Sequence, residues 1–173
     1  MKYPWGVFLG IVVSLGAGNL EAQTARALIQ GTGEGSGLSG TATFTDTPEG
    51  LQISVQVAGV PAAQHGLHIH EFGDCGNQGN AAGGHYNPDG VPHGFLPTDG
   101  FAGAHAGDLG NIDVQPDGTG TLELFLAGLK LSDGKYTVGG RALVLHEKPD
   151  DLGQPTGNAG GRIGCGAIII TGK

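Results

Sequence analysis

Residues 51–59, LQISVQVAG, set Leu51, Ile53, Val55 and Val57 on one parity and Gln52, Ser54 and Gln56 on the other. A period of two belongs to a strand with one buried face and one wet face. The alternation returns at Leu122, Leu124 and Leu126 within GTGTLELFLAG. Segments 25–31 (ARALIQG) and 39–47 (SGTATFTDT) read as two further strands, separated by the glycine-rich TGEGSG. No helix-forming sequence comes after that piece, so it reads as a hairpin loop and not as a phosphate cradle. GRALVLHEK and RIGCGAIIITG supply the last two strands, and no amphipathic helix stands out. Asp-Gly pairs at 89–90, 99–100, 117–118 and 133–134 mark tight turns. Short strands between such turns predict an all-β antiparallel sandwich or barrel.

At 173 residues the chain suits one domain that can bury its own core. Eight Lys and Arg against sixteen Asp and Glu give a formal charge of −8, which argues against nucleic acid or an anionic membrane as partner. Residues 1–22 place Lys2 before an apolar run and end on a small residue, Ala22. They read as a secretory signal cut after Ala22, leaving residues 23–173 as the exported domain with no membrane contact. Two cysteines remain, Cys75 and Cys165. In an exported protein an even count favours a disulfide, with two buried thiols as the alternative.

Two segments, 73–106 and 147–162, are too polar and rich in glycine for strands. Both begin just after a strand that carries histidine, and long loops in a compact domain are usually functional. The first of these strands, in HGLHIHEFGDC (65–75), alternates Leu67 and Ile69 with His68 and His70. Residues two apart share a face, so the rings of His68 and His70 can converge, while His65 faces the other way. Of seven histidines, all but His146 fall between 65 and 105. His85, His93 and His105 with Asp108 can form a tetrahedral N₃O set suited to zinc. His68 and His70 with the distant His146 offer imidazoles without thiolate, suited to Cu(II) or zinc. Chemistry alone therefore supports one or two imidazole metal sites.

The stretches HGLHIHEFGDC, GGHYNPDG, HAGDLGN, VLHEKPDDLG and GNAGGRIGCG, in this order, resemble the successive signatures of the copper/zinc superoxide dismutases. The resemblance covers most of residues 65–166 and implies an exported, bacterial-type member with an eight-stranded Greek-key barrel and two long functional loops. It implies copper at His68, His70, His85 and His146, zinc at His85, His93, His105 and Asp108, and His85 as a bridging imidazolate. It gives Asp150 the task of orienting His68 and His93, makes His65 structural, and sets Arg162 beside copper to hold the anion. Cys75 and Cys165 match the family's intrasubunit disulfide, and Lys148 could add a minor positive field.

The function implied by this resemblance is dismutation of superoxide to dioxygen and hydrogen peroxide, in the periplasm or outside the cell, by a possible homodimer. A storage or delivery domain for copper or zinc is the rival reading. Missing ligands or a cysteine-rich tail would favour that rival, and neither is present. The chain departs from the animal cytosolic enzymes in a short stretch from Asp151 to Arg162 without their guiding charges. Its spacings also differ: Cys75 stands five positions after His70, and His105 twelve after His93.

Overall fold

The computed structural model describes residues 21–172. The signal segment expected at 1–22 therefore lies outside the described residues, apart from its last two. Strands β1 (Thr24–Gly31), β2 (Ser39–Asp46) and β3 (Gly50–Ala58) form an antiparallel meander, joined by β6 (Gly120–Ala127) at the edge of β3. On the other side of β1 come β8 (Arg162–Ala167), β7 (Ala142–His146), β4 (Gln64–His70) and β5 (Asp108–Asp113). The order β5-β4-β7-β8-β1-β2-β3-β6 is a nearly closed barrel, and a single bridge between Val114 and Gly120 brings its two ends together.

The period-two pattern does what its chemistry requires. Leu51, Ile53, Val55 and Val57 point into the barrel with Ala25, Ala27, Ile29, Ala42 and Phe44. Leu67, Ile69, Leu109, Ile112, Leu143 and Leu145 close the core from the opposite wall. The hairpin expected at TGEGSG joins β1 to β2, and Asp117-Gly118 turns the chain from β5 toward β6, with Gly118 at a φ of 82°.

Three features differ from the sequence reading. Strand β5 has no period-two signature, because Leu109 and Ile112 are three apart and its ladder to β4 is broken by an irregularity between Gly66 and His68. RIGCGAIIITG is two strands, with buried Ile168 between β8 and β9 (Ile169–Gly172), which pairs with β1. The loop after β4 also contains a 3₁₀ turn at Asn80–Ala82 and a short helix α1 (Leu96–Gly103). Asp99-Gly100 falls inside α1 and breaks it, since Gly100 sits at a φ of 62°. So short and interrupted a helix leaves no amphipathic stripe to read.

Candidate metal centre

Strand β4 is buried on both faces, which a barrel strand exposed to water is not. Leu67 and Ile69 face the core, while His68 and His70, at 0% and 1% exposure, face outward beneath the two long loops. The loops dock on β4 through their backbones. Ile69 donates to the Gly107 carbonyl, and Tyr86 donates to that of Ile69. Gly107 must lack a side chain here, because a Cβ would lie 2.1 Å from the Ile69 oxygen. The resulting register sets His70 opposite His85, His68 opposite Asp108, and His146 opposite Arg162.

Four imidazoles, those of His68, His70, His85 and His146, gather with ligand nitrogens within 4.8 Å of one another. Hydrogen bonds on the far side of three rings aim them. His68 Nε2 meets Asp150 at 2.8 Å, His70 Nδ1 meets the Gly83 carbonyl at 3.0 Å, and His146 Nδ1 meets that of Gly160 at 3.3 Å. The opposite nitrogens turn inward, and His70 Nε2 lies 3.3 Å from His146 Nε2. Burial pushes His70 from 6.5 to about 2, His146 to about 3 and His85 to about 4. All three are therefore neutral at physiological pH, which is the form a metal needs.

A second group joins His85 with His93, His105 and Asp108. His85 Nδ1 is 2.9 Å from Asp108 Oδ1, His105 Nδ1 is 3.1 Å from the same oxygen, and the two nitrogens are 3.4 Å apart. His93 Nδ1 stands 2.8 Å from Asp108 Oδ2. Asp108 is held in place by the backbone amides of Gly94 and His105, which donate to Oδ2 at 3.0 and 2.9 Å. Burial would raise its carboxyl, yet these contacts and the surrounding rings hold it well below the usual range. His85 belongs to both groups, with Nδ1 on the Asp108 side and Nε2 left for the other.

Asp150 ties the groups together. One of its oxygens meets His68 Nε2, and His93 Nε2 lies 3.0 and 3.1 Å from the two. Asn111 fixes its backbone, accepting from Asp150 N at 2.7 Å and donating to Asp150 O at 2.9 Å. Gly157 at a φ of 74° makes the room, because a Cβ there would fall 2.0 Å from Asp150 Oδ1. Burial lowers His93, but Asp108 and Asp150 on either side outweigh it and raise the ring to about 9.

The donor set itself fits metal ions. His68 Nδ1 is buried with no hydrogen-bond partner, so its lone pair is not used within the protein, and His93 Nδ1 faces Asp108 Oδ2 at 2.8 Å. Zinc bonds of about 2.0–2.1 Å in a tetrahedron put neighbouring donors about 3.4 Å apart. The separations of 2.8–3.4 Å in the second group are close to that spacing. A buried carboxylate facing three imidazoles also calls for a cation.

The remaining expected residues have definite places. His65 lies under the site with its ring nitrogens 2.9 Å from the His146 carbonyl and 2.8 Å from that of Pro61. Arg162 donates to the Gly79 and Gly83 carbonyls, both at 2.6 Å, and Gly83 O is the acceptor that also aims His70. Cys75 and Cys165 are bonded, with an S–S distance of 2.06 Å, so the segment carrying those carbonyls is tied to β8 three residues beyond Arg162. Lys148 is exposed. Sequence reasoning passed over Asn111, Gly157 and Gln154, whose side-chain amide grips the backbone of His93 on both sides. Asn111 and Gly157 both stand within the motif stretches; the partner of Asn111, Asp150, is distant in sequence, while Gly157 lies in the same loop as Asp150.

A family model described as copper/zinc superoxide dismutase matches residues 38–168. An extracellular Cu-Zn superoxide dismutase of Caenorhabditis elegans is 44% identical over 138 residues, which cover 76% of this chain and 61% of that protein's length. A Cu-Zn superoxide dismutase, number 2, of Brassica juncea is 43% identical over 144 residues, covering 79% of this chain and 92% of the relative. Among solved structures, that of the clock protein EA4 superposes with a TM-score of 0.76 at 33% identity, over 95% of this chain and all of the other. With both ligand groups assembled on a barrel of that shape, the chain belongs to the copper/zinc superoxide dismutase family.

Proposed function

We propose that the protein dismutates superoxide to dioxygen and hydrogen peroxide, with copper held by His68, His70, His85 and His146 and zinc by His85, His93, His105 and Asp108. The single observation that carries this reading is the sharing of His85 by two buried donor groups. Copper, when bound, supplies one-electron oxidation and reduction of superoxide. His85 Nε2 can hold a proton on the copper side while Nδ1 stays with the Asp108 group, so a proton is stored where peroxide must be protonated. Arg162, its guanidinium braced by two carbonyls, presents a fixed positive charge to an anion arriving at a protein of net charge −8. Asp150 keeps His68 and His93 turned toward their groups.

The domain comprises residues 23–173 after loss of a signal at 1–22, and it works outside the cytoplasm, in the periplasm or the extracellular space. The name of the nematode relative and the disulfide support export. Exposed Leu28, Ile169 and Ile170 on the paired strands β1 and β9 support a homodimer. Storage or delivery of metal remains the rival. A superoxide-consumption assay on the purified chain, reconstituted with both metals, tests the reading. Rapid catalytic consumption is expected, and stoichiometric metal binding without consumption would favour the rival.

A further inference from the structure

We propose that Tyr136 is a positioning residue for the zinc half of the centre, a clasp on both arms of the loop that carries His93 and His105. The inference rests on the zinc assignment above. The loop leaves the site at His85 and returns at His105, with Gly90, Gly94, Gly100 and Gly103 along it. Glycine at such frequency leaves a free loop with many conformations. It meets the segment 135–137 at three points. Tyr86, next to His85, places its hydroxyl 3.2 Å from the Lys135 carbonyl and 3.3 Å from the Thr137 amide. Asp89, four residues past His85, accepts from the Tyr136 hydroxyl at 2.5 Å and pairs with Lys135 at 2.6 Å. Phe101, four residues before His105, stacks on the Tyr136 ring with centroids 3.6 Å apart and planes 6° from parallel.

Tyr136 thus holds the outgoing arm by its oxygen and the returning arm by its ring. Its own backbone is firm, because Lys130 N donates to Tyr136 O at 2.9 Å and Val138 N donates to Lys130 O at 2.9 Å. Leu129, Leu131 and Val138 bury that segment against the core. Zinc can leave only when His93 and His105 withdraw, so a clasp on the loop acts on the release rate and leaves the ligand set unchanged.

The test measures zinc release from the full reconstituted chain to excess chelator, together with the visible absorption of bound copper. Tyr136→Ala should speed zinc release about tenfold, as expected for loss of an aromatic stack and its hydrogen bond. Tyr136→Phe keeps the stack and should speed it about threefold. The copper band should not move in either. Val55→Ala, in β3 on the far wall, should lower the melting temperature and leave zinc release as in the wild type. Wild-type release from Tyr136→Ala, or equal acceleration by Val55→Ala, would overturn the clasp. Should Tyr136→Ala fail to fold, Tyr136→Phe and Asp89→Asn must both accelerate release, and wild-type rates in both overturn it. A wild-type chain that takes up no zinc removes the site assignment, and the clasp with it.

Discussion

Strands β3 and β4 cross the same barrel with the same period but differ in what covers them. β3 alternates buried Leu51, Ile53, Val55 and Val57 with residues that face water. In β4 the outward parity is buried too, because the loops at 71–107 and 147–161 close over His68 and His70. The outer face of a barrel strand is free of core-packing demands, so it can be given to chemistry once loops exclude water from it. Polar side chains buried there have to be satisfied, and in this molecule the partners are carbonyls and carboxylates, with the remaining nitrogens facing two groups that could hold metal ions.

The largest effects should therefore come from the covered wall. His146→Ala removes an imidazole from one group only, so dismutation should fall to background while zinc is retained, as metal analysis and a superoxide assay would show. Asp108→Ala should do the reverse, losing zinc with copper still bound. If each variant loses both metals, the covered wall is one cooperative unit and the division into two groups fails.

Asp150 comes next. Asp150→Asn keeps the shape but removes the charge and turns one of the two oxygens facing His68 and His93 into a donor, and a loss of about 10- to 100-fold in metal affinity is expected. Gly157→Ala should mimic it from outside the ligand set, since its Cβ would displace the Asp150 carboxylate. Wild-type affinity in Gly157→Ala would show that the bridge tolerates displacement. Reduction of Cys75–Cys165 opens a loop with a sequence separation of 90. The chain-entropy model gives about 4–5 kcal/mol for such a bridge, hence a melting temperature lower by roughly 8–20 °C by calorimetry. An unchanged melting temperature would count against the disulfide as a tie between loop and barrel.

Arg162 offers a graded test. Arg162→Glu should lose far more activity than Arg162→Lys, which keeps the charge but not the planar fork that reaches both carbonyls. Copper content should be the same in all three, and equal rates would falsify the role given to this side chain.

The smallest of these effects are protonic and superficial. Zinc needs the neutral form of His93, which the flanking carboxylates hold protonated up to about 9 in the metal-free chain. Zinc affinity should therefore fall about tenfold per pH unit below 9, with about one proton released per zinc at neutral pH, measurable by calorimetry in buffers of different ionisation heat. No proton release would mean that His93 is already neutral. On the wet wall, Gln52→Ser should change stability by no more than about 0.5 kcal/mol.

The same contrast explains what could be read in the sequence. Strand β3 shows its parity because water enforces it, and His68 and His70 are legible because they interrupt an apolar alternation. Strand β5 is not legible: Asp108 there turns to the second donor group and Gly110 sits at a φ of 83°, so neither follows the strand period. The grip of Gln154 on His93 depends on two loops meeting across 61 residues, and the room left by Gly157 depends on how its own loop folds back over Asp150, neither of which a local pattern encodes. The family's motifs supplied candidate ligands; the hydrogen bonds that aim them needed the fold.

If one imidazole, His85, serves two metal groups, the count of copper and zinc per chain in reconstituted His85→Ala must show it. With one of each metal in the wild type, His85→Ala should show a deficit of both, against a deficit of copper alone in His146→Ala and of zinc alone in Asp108→Ala. A His85→Ala protein that loses one metal and binds the other with wild-type affinity would contradict the sharing.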